Sequence, residues 1–308
     1  MSLLMHASFH PAPIGLRIQA HQGFHFLSIR IVWSNWIKTA VRWRAARMIR
    51  LAGVSRSFSG RSGVVEAVRG IDLTVAEGEF VALVGRSGCG KSTLLRLIAG
   101  LLPPTEGEIT VAGERVTKAR RDIAMLFQRP ALLPWRSVID NVLLPVEIFG
   151  WRRAAHRERA LRLLEMAGLA GFERRLPHEL SGGMQQRVSL CRSLIGNPRV
   201  MLMDEPFSAL DAITREELSV ELQRVHMENA STIVFVTHSI DEAVLLADRV
   251  VVLTPRPGRI REVVEIRIPR PRTLGRDAHF EEVARCSADL HELLVGRGTS
   301  AVVREGGQ

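Results

Sequence analysis

The feature that most constrains this chain is a glycine-rich run, GRSGCGKST, at residues 85–93. It fits the pattern G-x-x-x-x-G-K-[ST], between an apolar run typical of a buried strand and a helical pattern that starts at Lys91. Glycines let the backbone curl so that consecutive N–H groups point at phosphate oxygens, and the positive end of the following helix adds to this attraction. The run therefore predicts a site for nucleotide phosphates, in which Lys91 reaches the terminal phosphates and Ser92 binds Mg²⁺.

A second candidate group lies downstream, where the apolar run at residues 200–203 ends in Asp204 and Glu205. Side chains alternate along a strand, so the two carboxylates point in different directions. One can hold Mg²⁺ through water, and the other can orient or deprotonate an attacking water. Alone, such an ending is more typical of a solvated turn. After a phosphate loop in the same chain, it favours a catalytic pair.

Strand and helix signals alternate along most of the chain, which favours an α/β fold with a mainly parallel sheet. Residues 137–196 carry helical periodicity with little strand character, so this block is predicted to be an inserted subdomain. The strand signals cover residues 49–55, 64–68, 70–75, 79–84, 108–111, 122–127, 200–203, 232–236, 249–253 and 260–268. The helix signals outside the inserted block cover residues 91–100, 212–229, 240–247 and 278–295.

Composition limits the class of protein. With 308 residues, 46% hydrophobic and 24% charged, the chain can form a globular core, which excludes wholesale disorder. Of the net charge of +10, nine positive charges come from the first 65 residues, which hold nine Lys or Arg and no acidic residue. The rest is almost neutral, so no nucleic-acid partner is expected. Three cysteines make no disulfide framework, and no run of 18 apolar residues predicts a membrane span.

Residues 1–47 differ from the rest, because they hold three of the five Trp, four of the ten His and no acidic residue. We favour a poorly ordered extension with the real start at Met48, since a segment before the first strand is rarely ordered unless it is tied down. A targeting peptide and a basic membrane-surface helix stay open as alternatives. The domain boundaries predicted for the remainder are 49–268 for the nucleotide-binding domain, about 129–196 for its helical subdomain, and 269–308 for a C-terminal helix and tail.

A second candidate anion site is the run LSGGMQQR at residues 180–187. Ser181 is a suitable helix N-cap, and Gly182 and Gly183 leave the backbone N–H groups uncovered. Alone, this pattern is more typical of a linker. Together with the phosphate loop and the acid pair, it resembles the LSGGQ signature of ATP-binding subunits of ABC transporters, with Met184 where Gln is commoner. The resemblance spans about residues 49–265.

That resemblance implies a P-loop NTPase fold with a mainly parallel core sheet, an antiparallel β subdomain and an inserted helical subdomain. In the family, two subunits enclose two ATP molecules, each between the phosphate loop of one subunit and the signature of the other. The implied ligands are ATP and Mg²⁺, and the implied assembly is a homodimer or a pair of ATPase subunits. The predicted ATP-binding residues are Phe58, Gly85, Arg86, Ser87, Gly88, Cys89, Gly90, Lys91, Ser92 and Thr93. The residues predicted to contact the partner's ATP are Ser181, Gly182, Gly183 and Gln185.

Other positions are assigned by the same resemblance. Gln128 resembles the Q-loop glutamine that senses Mg²⁺, and His238 resembles the histidine that contacts the γ-phosphate. A lone His at a strand end is otherwise more often structural. Phe58 stands where the family has an aromatic that stacks on adenine, and plain core packing is its alternative. The remaining assignments are Ser208 and Asp211 to the dimer loop, Ser92, Gln128 and Asp204 to Mg²⁺, and Glu205, His238, Gln128 and Lys91 to catalysis.

The subtype also follows from resemblance. Residues 177–179, PHE, are similar to importer subunits, and residues 128–135 and 254–259 are similar to the nitrate, sulfonate and taurine group. The resemblance implies separate membrane permease subunits, a periplasmic or lipoprotein solute-binding protein, and a peripheral position on the cytoplasmic face of the bacterial inner membrane. Leu133 and Trp135 are predicted near the permease-coupling surface, or else they cover the helical subdomain. The cargo itself is not specified.

Three other classes of protein share some of these features. A soluble repair or translation ATPase of the same superfamily is the main alternative, but such proteins usually carry long coiled coils, zinc modules or a second cassette, and the sequence has none of these. A GTPase or kinase would leave the signature run unexplained, and the guanine-reading N-K-x-D is absent. A non-catalytic binding module is disfavoured because every predicted catalytic position is filled.

Overall fold

The computed structural model of the chain describes residues 47–60, 63–273 and 279–295. The extension predicted for residues 1–47 lies outside these ranges up to residue 46, as does the predicted tail after residue 295. The strands are β1 (Arg47–Gly60), β2 (Gly63–Ala76), β3 (Phe80–Val84), β4 (Glu106–Val111), β5 (Glu114–Arg115), β6 (Ile123–Leu126), β7 (Val200–Asp204), β8 (Thr232–Val236), β9 (Arg249–Leu253) and β10 (Ile260–Glu265). The helices are α1 (Lys91–Ile98), α2 (Val138–Val142), α3 (Leu144–Ile148), α4 (Arg153–Met166), α5 (Gly182–Leu194), α6 (Ala212–Asn229), α7 (Ile240–Leu246) and α8 (Phe280–Val295), with a 3-10 turn at Pro177–Glu179.

The central sheet has six strands in the order β10-β9-β3-β8-β7-β6. All neighbouring pairs are parallel except β10 with β9. Every residue of β3, β7 and β8 is buried, as expected for parallel strands covered on both faces. Because the carboxyl ends of parallel strands lie at one edge, the loops after β3, β6, β7 and β8 meet there.

The two faces of this sheet carry separate hydrophobic clusters. In β3, Phe80 and Ala82 belong to one cluster, whereas Val81 and Leu83 belong to the other. This split follows from strand geometry, since successive side chains point to opposite faces. The first cluster also contains the helical block and α7, and the second joins the sheet to α1 and to the smaller sheet. Helix α1 and the loop before it therefore pack against both the central sheet and the smaller sheet.

The smaller sheet is antiparallel, with the strand order β2-β1-β4-β5. Strands 64–68 and 70–75, predicted as separate, form the single strand β2. Gly70 has φ +56° and its N–H donates to Ser55 Oγ at 3.0 Å, so it makes a register shift rather than a turn. The two-residue β5 was not predicted, because a pair of charged residues carries no periodicity.

The helical block lies between β6 and β7 and comprises α2 to α5. The mainly parallel core sheet, the antiparallel subdomain and the helical insertion predicted from the sequence are confirmed. The predicted strands at 232–236 and 249–253 match β8 and β9 residue for residue. The last predicted strand, 260–268, ends at Glu265 instead. No helix in the described part of the chain is both long and apolar enough to cross a membrane.

Candidate functional site

The phosphate loop connects β3 to α1, as predicted. Gly88 has φ +77° and Gly90 has φ +99°, conformations that glycine adopts without strain. A Cβ at Gly90 would lie 2.5 Å from Val68 Cγ1 and 2.7 Å from the Ala67 carbonyl oxygen. The loop therefore packs closely against β2, with no space for a side chain at Gly90. Helix α1 begins at Lys91 without a side-chain cap or an acidic residue in its first turn, so its first N–H groups are available to an anion.

Lys91 is held inside this loop. Its side chain is only 6% exposed, and Nζ donates to the carbonyl oxygens of Gly85 at 2.7 Å and Arg86 at 3.2 Å. The ammonium group also lies 3.7 Å from Cys89 Sγ. A compact cation fixed by loop carbonyls adds positive charge to the cradle that the N–H groups form.

The phosphate loop and the acid pair meet through one hydrogen bond. Ser92 Oγ donates to Asp204 Oδ1 at 2.8 Å, across 112 residues of sequence. Asp204 is the last residue of β7 and is 4% exposed. Burial raises the pKa of the Asp204 carboxyl, while the Ser92 hydrogen bond opposes that shift. A buried carboxylate beside a hydroxyl is a suitable place for a hard cation, because the cation would relieve the cost of burying the charge.

Glu205 lies at the centre of a second group. Its carboxylate accepts a hydrogen bond from Gln128 Nε2 at 2.9 Å, and His238 Nδ1 lies 3.7 Å from the same oxygen. The backbone of Glu205 has φ +48°, an uncommon conformation for a residue with a side chain. Its N–H donates to the Val236 carbonyl oxygen at 2.9 Å, which ties the residue to the end of β8. Three of the predicted catalytic residues are thus brought together.

The loop that carries His238 is fixed by residues that the sequence analysis missed. Thr237 Oγ1 donates to the buried carboxylate of Glu242 and accepts from the Ser239 N–H at 2.9 Å. Burial raises the pKa of Glu242, and Arg215 Nε lies 3.6 Å from its other oxygen. The signal was present: Ser239 and Glu242 form the S-x-x-E pattern of a helix start, and Ser239 caps α7.

The predicted signature residues stand at the start of α5. Ser181 is the N-cap, and its Oγ accepts from the Met184 N–H at 3.3 Å. Ser181 and Gly182 are exposed, and a Cβ at Gly182 would meet nothing within 4 Å. Gly183 packs inward, because a Cβ there would lie 3.1 Å from Leu210 Cδ2 in the predicted dimer loop. The helix start is therefore presented to the outside of the chain.

Gln185 and the dimer loop have contacts within the chain. Gln185 Nε2 donates to the carbonyl oxygens of Pro177 at 2.9 Å and Leu180 at 3.3 Å, so its amide holds the preceding turn instead of pointing out. The neighbouring Gln186, which no sequence pattern indicated, is buried and donates to the Phe127 carbonyl oxygen at 3.3 Å. Ser208 Oγ donates to the Glu205 carbonyl oxygen at 3.0 Å, and Asp211 caps α6.

Phe58 lies on β1 opposite Val65 and is 37% exposed. Neither of the two buried clusters of the described residues includes it, so the plain core alternative is not supported. The guanidinium carbon of Arg56 lies 4.7 Å from the centre of the Phe58 ring. This cation–π contact favours one orientation of the ring. The contact of Phe58 with adenine stays a prediction.

The residues fit a nucleotide with Mg²⁺. The cradle of N–H groups around Lys91 suits phosphate oxygens, and a Cβ at Gly90 would disrupt it. Among the described residues, no cluster of three His, Cys, Asp or Glu could hold a metal on its own. Mg²⁺ does not need one, since it is commonly bound by one or two carboxylates together with substrate phosphates and water. Ser92 and Asp204 supply oxygen donors of the kind that this ion prefers.

Comparisons with known proteins agree with this geometry. A family model described as ABC transporter matches residues 68–208. The chain is 46% identical over 241 residues to an aliphatic sulfonates import ATP-binding protein of Xanthomonas axonopodis, covering 78% of this chain and 95% of that protein. It is 46% identical over 207 residues to a taurine import ATP-binding protein of Burkholderia thailandensis, covering 67% and 80%. It is 41% identical over 256 residues to a nitrate import ATP-binding protein of Synechocystis, covering 82% and 96%.

A similar solved structure is a dimeric ATP-binding cassette in a post-hydrolysis state with ADP and Pi. The match has a TM-score of 0.66 and 34% sequence identity, and it covers 72% of this chain and all of that one. The predicted P-loop NTPase fold is confirmed by this similarity. Sequence, geometry and these relatives agree, and the chain belongs to the ATP-binding, ATP-hydrolysing subunits of the ABC transporter family.

Proposed function

We propose that this chain is the ATPase subunit of an importer for a small anion such as an aliphatic sulfonate, taurine or nitrate. The observation that carries the ATPase part is the junction of the phosphate loop with the acid pair, where Ser92 and Asp204 are hydrogen-bonded at 2.8 Å. The import part rests on the relatives, whose names refer to the import of these three solutes.

The phosphate-binding step uses residues of one chain. The N–H groups at the start of α1 and the Lys91 ammonium bind the β- and γ-phosphates. Lys91 can exchange its two loop carbonyl partners for phosphate oxygens with little movement, because it is already inside the loop. Ser92, Asp204 and Gln128 would hold Mg²⁺, which neutralises phosphate charge when bound. Phe58 would stack on the adenine.

The hydrolytic step uses the second group. Glu205 orients or deprotonates the attacking water, and its fixed backbone keeps the carboxylate at the end of β7. Gln128 and His238 lie on either side of that carboxylate, so they can position the water and contact the γ-phosphate. These groups are aligned before the substrate arrives, which is the main source of electrostatic catalysis in phosphoryl transfer.

The site is completed by a second chain. We propose that Ser181, Gly182 and Gly183 of a partner subunit contact the γ-phosphate across a dimer, and that Ser208 and Asp211 lie at the interface. The exposure of Ser181 and Gly182 supports this. The engaged amide of Gln185 argues for a change in its predicted role, from contact with ATP to positioning of the 177–180 turn.

The coupled step requires a membrane partner. We propose separate permease subunits, a solute-binding protein, and a peripheral position on the cytoplasmic face of the bacterial inner membrane. Trp135 supports a docking surface, because it is 73% exposed on a loop held by the buried Asn141. An exposed aromatic on a fixed loop is typical of an interaction surface. This support favours the importer over the soluble superfamily alternative.

The ATPase part is tested by phosphate release from the purified chain with Mg²⁺ and ATP. The Lys91→Ala variant is expected to lose at least about 100-fold in activity, because the charge that stabilises the transferred phosphoryl group is removed. The matched control is Lys118→Ala, which removes an exposed lysine outside the site and is expected to keep full activity. Comparable activity in wild type and Lys91→Ala would contradict the proposal.

A further inference from the structure

The turn between β9 and β10, residues 254–259, packs on the phosphate loop, and the proposed mechanism gives it no part. Arg256 Nε donates to the Gly88 carbonyl oxygen at 3.2 Å. Gly258 is tied to β2 by two backbone hydrogen bonds, from its N–H to Ala67 and from the Arg69 N–H to its oxygen, each at 2.9 Å. The turn is therefore anchored to β2 and at the same time contacts the phosphate loop.

The approach of this turn is possible only with glycine at position 258. A Cβ there would lie 2.0 Å from the Cys89 carbonyl oxygen, far inside van der Waals contact. Gly258 is buried, and its backbone hydrogen bonds to Ala67 and Arg69 leave it little room to withdraw. The Cys89 carbonyl therefore faces the turn, as does the Gly88 carbonyl that Arg256 holds.

The orientation of these two carbonyls determines where the loop N–H groups point. A trans peptide group is planar, so its C=O and N–H point in opposite directions. With the carbonyls of Gly88 and Cys89 turned outward, the N–H groups of Cys89 and Gly90 point away from the turn. The first of these closes the loop on the Arg86 carbonyl oxygen at 3.2 Å, and the second lies beside the start of α1.

We propose that Arg256 and Gly258 act as positioning residues for nucleotide binding, by fixing two peptide groups of the phosphate loop. The N–H of one closes the loop on Arg86, and the N–H of the other lies at the start of α1, where phosphate would bind. Without this contact either peptide could rotate and bring a carbonyl oxygen into the cradle, where it would repel phosphate. The Arg256 guanidinium also adds a positive charge at the rim of the loop. This inference rests on the proposed ATP site at residues 85–93 and assigns a role to the turn at residues 254–259.

The first test is Arg256→Ala with Arg261→Ala as the matched control. Both arginines are exposed and each donates to a backbone carbonyl, but Arg261 bonds to Leu293, in α8. Arg256→Ala is expected to raise the ATP dissociation constant about 3- to 10-fold, as for the loss of one ordinary hydrogen bond at an exposed site. Adenosine binding and kcat at saturating ATP should change less than about twofold, because the peptide groups act on phosphates in the ground state as well as in the transition state.

The measurements are competition against a fluorescent ATP analogue, steady-state phosphate release, and thermal melting. An increase in KM without a change in kcat, specific for phosphate and absent in Arg261→Ala, supports the inference. Equal ATP affinity in Arg256→Ala and Arg261→Ala overturns it, and so does an equal loss of adenosine binding. If wild type itself does not hydrolyse ATP, the proposed function fails. If wild type hydrolyses ATP and Arg256→Ala binds ATP with the same affinity as wild type, only the positioning role fails.

The second test is Gly258→Ala with Gly196→Ala as the control. A Cβ at Gly196 would lie 3.0 Å from the Trp151 ring in the helical block, so this substitution adds a crowded methyl group away from the loop. Gly258→Ala is expected to weaken ATP binding more than about 30-fold, since the loop must move, whereas Gly196→Ala keeps wild-type affinity. A folded Gly258→Ala protein with wild-type ATP affinity overturns the inference. Because Arg256 is exposed, Arg256→Ala decides the question even if Gly258→Ala does not fold.

Discussion

Two helix starts in this chain offer backbone N–H groups in the same way but in opposite surroundings. Helix α1 begins behind Gly90 and α5 begins behind Ser181, and neither has an acidic residue in its first turn. At α1, the cradle includes the buried Lys91 and reaches the buried Asp204 through Ser92. At α5, Ser181 and Gly182 are exposed to the outside.

This contrast indicates different roles for the two helix starts in nucleotide binding. The α1 site has its own cation and its own acids, so it can bind and orient a nucleotide within one chain. The start of α5, here called the α5 tip (Ser181 to Gly183), has backbone N–H groups without an acidic neighbour in the first turn, which would suit a phosphate from the partner in the proposed dimer. The proposed site shared between two chains would use both features and would make hydrolysis depend on the approach of the two chains.

The largest effect is expected from Glu205→Gln, which tests whether the α1 site contains the chemistry. The substitution keeps the size of the side chain and removes its capacity as a base, so turnover should fall about 10²- to 10⁴-fold while ATP binding is kept. Phosphate release and ATP-dependent dimer formation by light scattering are the measurements. The same substitution at the exposed Glu217 on α6 is the control. Turnover within tenfold of wild type would contradict the assignment.

The α1 site was predictable because its signals are local. The phosphate loop, the acid pair and the strand ends at β8 and β9 are adjacent in sequence to the residues that they position. Parallel strands then bring these separate runs to one edge without further information. Gln128, Glu205 and His238 meet for that reason.

The supporting contacts were not predictable, because they depend on which side chains the fold places opposite each other. Arg256 reaches Gly88 across 168 residues, and no pattern at either position indicates this. Gln185 resembles a ligand-contacting residue by its position, yet its amide is used within its own chain. Ser239 and Glu242 carried a helix-start signal, but the hydrogen bond from Thr237 to the buried Glu242, which holds the loop of His238, depends on the fold.

The next largest effect tests, with mixed dimers, whether the two helix starts share one nucleotide. Gly182→Glu places a negative charge at the α5 tip, where a Cβ meets no atom and an acid favours the helix start. The variant should fold and bind ATP normally but lose about 100-fold in turnover, because the charge repels the γ-phosphate of the partner. Lys91→Ala should lose turnover by failing to bind phosphate.

Mixing these two inactive variants should restore activity. A mixed dimer has one site with both defects and one site with neither, so up to about a quarter of wild-type turnover is expected at equal amounts, as half of the dimers are mixed and each has one working site. The measurement is phosphate release against mixing ratio, with each variant mixed with itself as the control. No recovery on mixing would show that the two helix starts do not share a nucleotide.

The smallest effect is expected from the buried carboxylate of Asp204 in the α1 site. Burying this charge lowers the stability of the fold, and the exposed start of α5 has no such buried charge among Ser181 to Gly183. Burial raises the pKa of Asp204, so the folded state holds that proton more tightly than the unfolded state does. Stability from this group is present at low pH and is lost as pH rises through the ordinary carboxyl range towards the raised value. Asp204→Asn keeps an oxygen that can accept from Ser92 and removes the charge. It should therefore raise Tm by about 1–3 °C at neutral pH without nucleotide, and by less in acid.

Mg²⁺ competes with the same proton, so KM for Mg-ATP should rise as pH falls through the raised pKa of Asp204 in wild type. The control is Asp211→Asn at the start of α6, where backbone hydrogen bonding from Thr214 lowers the carboxyl pKa. The stability that Asp211 provides is present above the ordinary carboxyl pKa and lost as pH falls, so its substitution should not raise Tm at neutral pH. Thermal melts of wild type, Asp204→Asn and Asp211→Asn across pH measure the change in Tm that each substitution causes. A lower Tm for Asp204→Asn than for wild type at neutral pH would contradict this prediction. It would mean that the buried charge of Asp204 stabilises the fold instead of destabilising it.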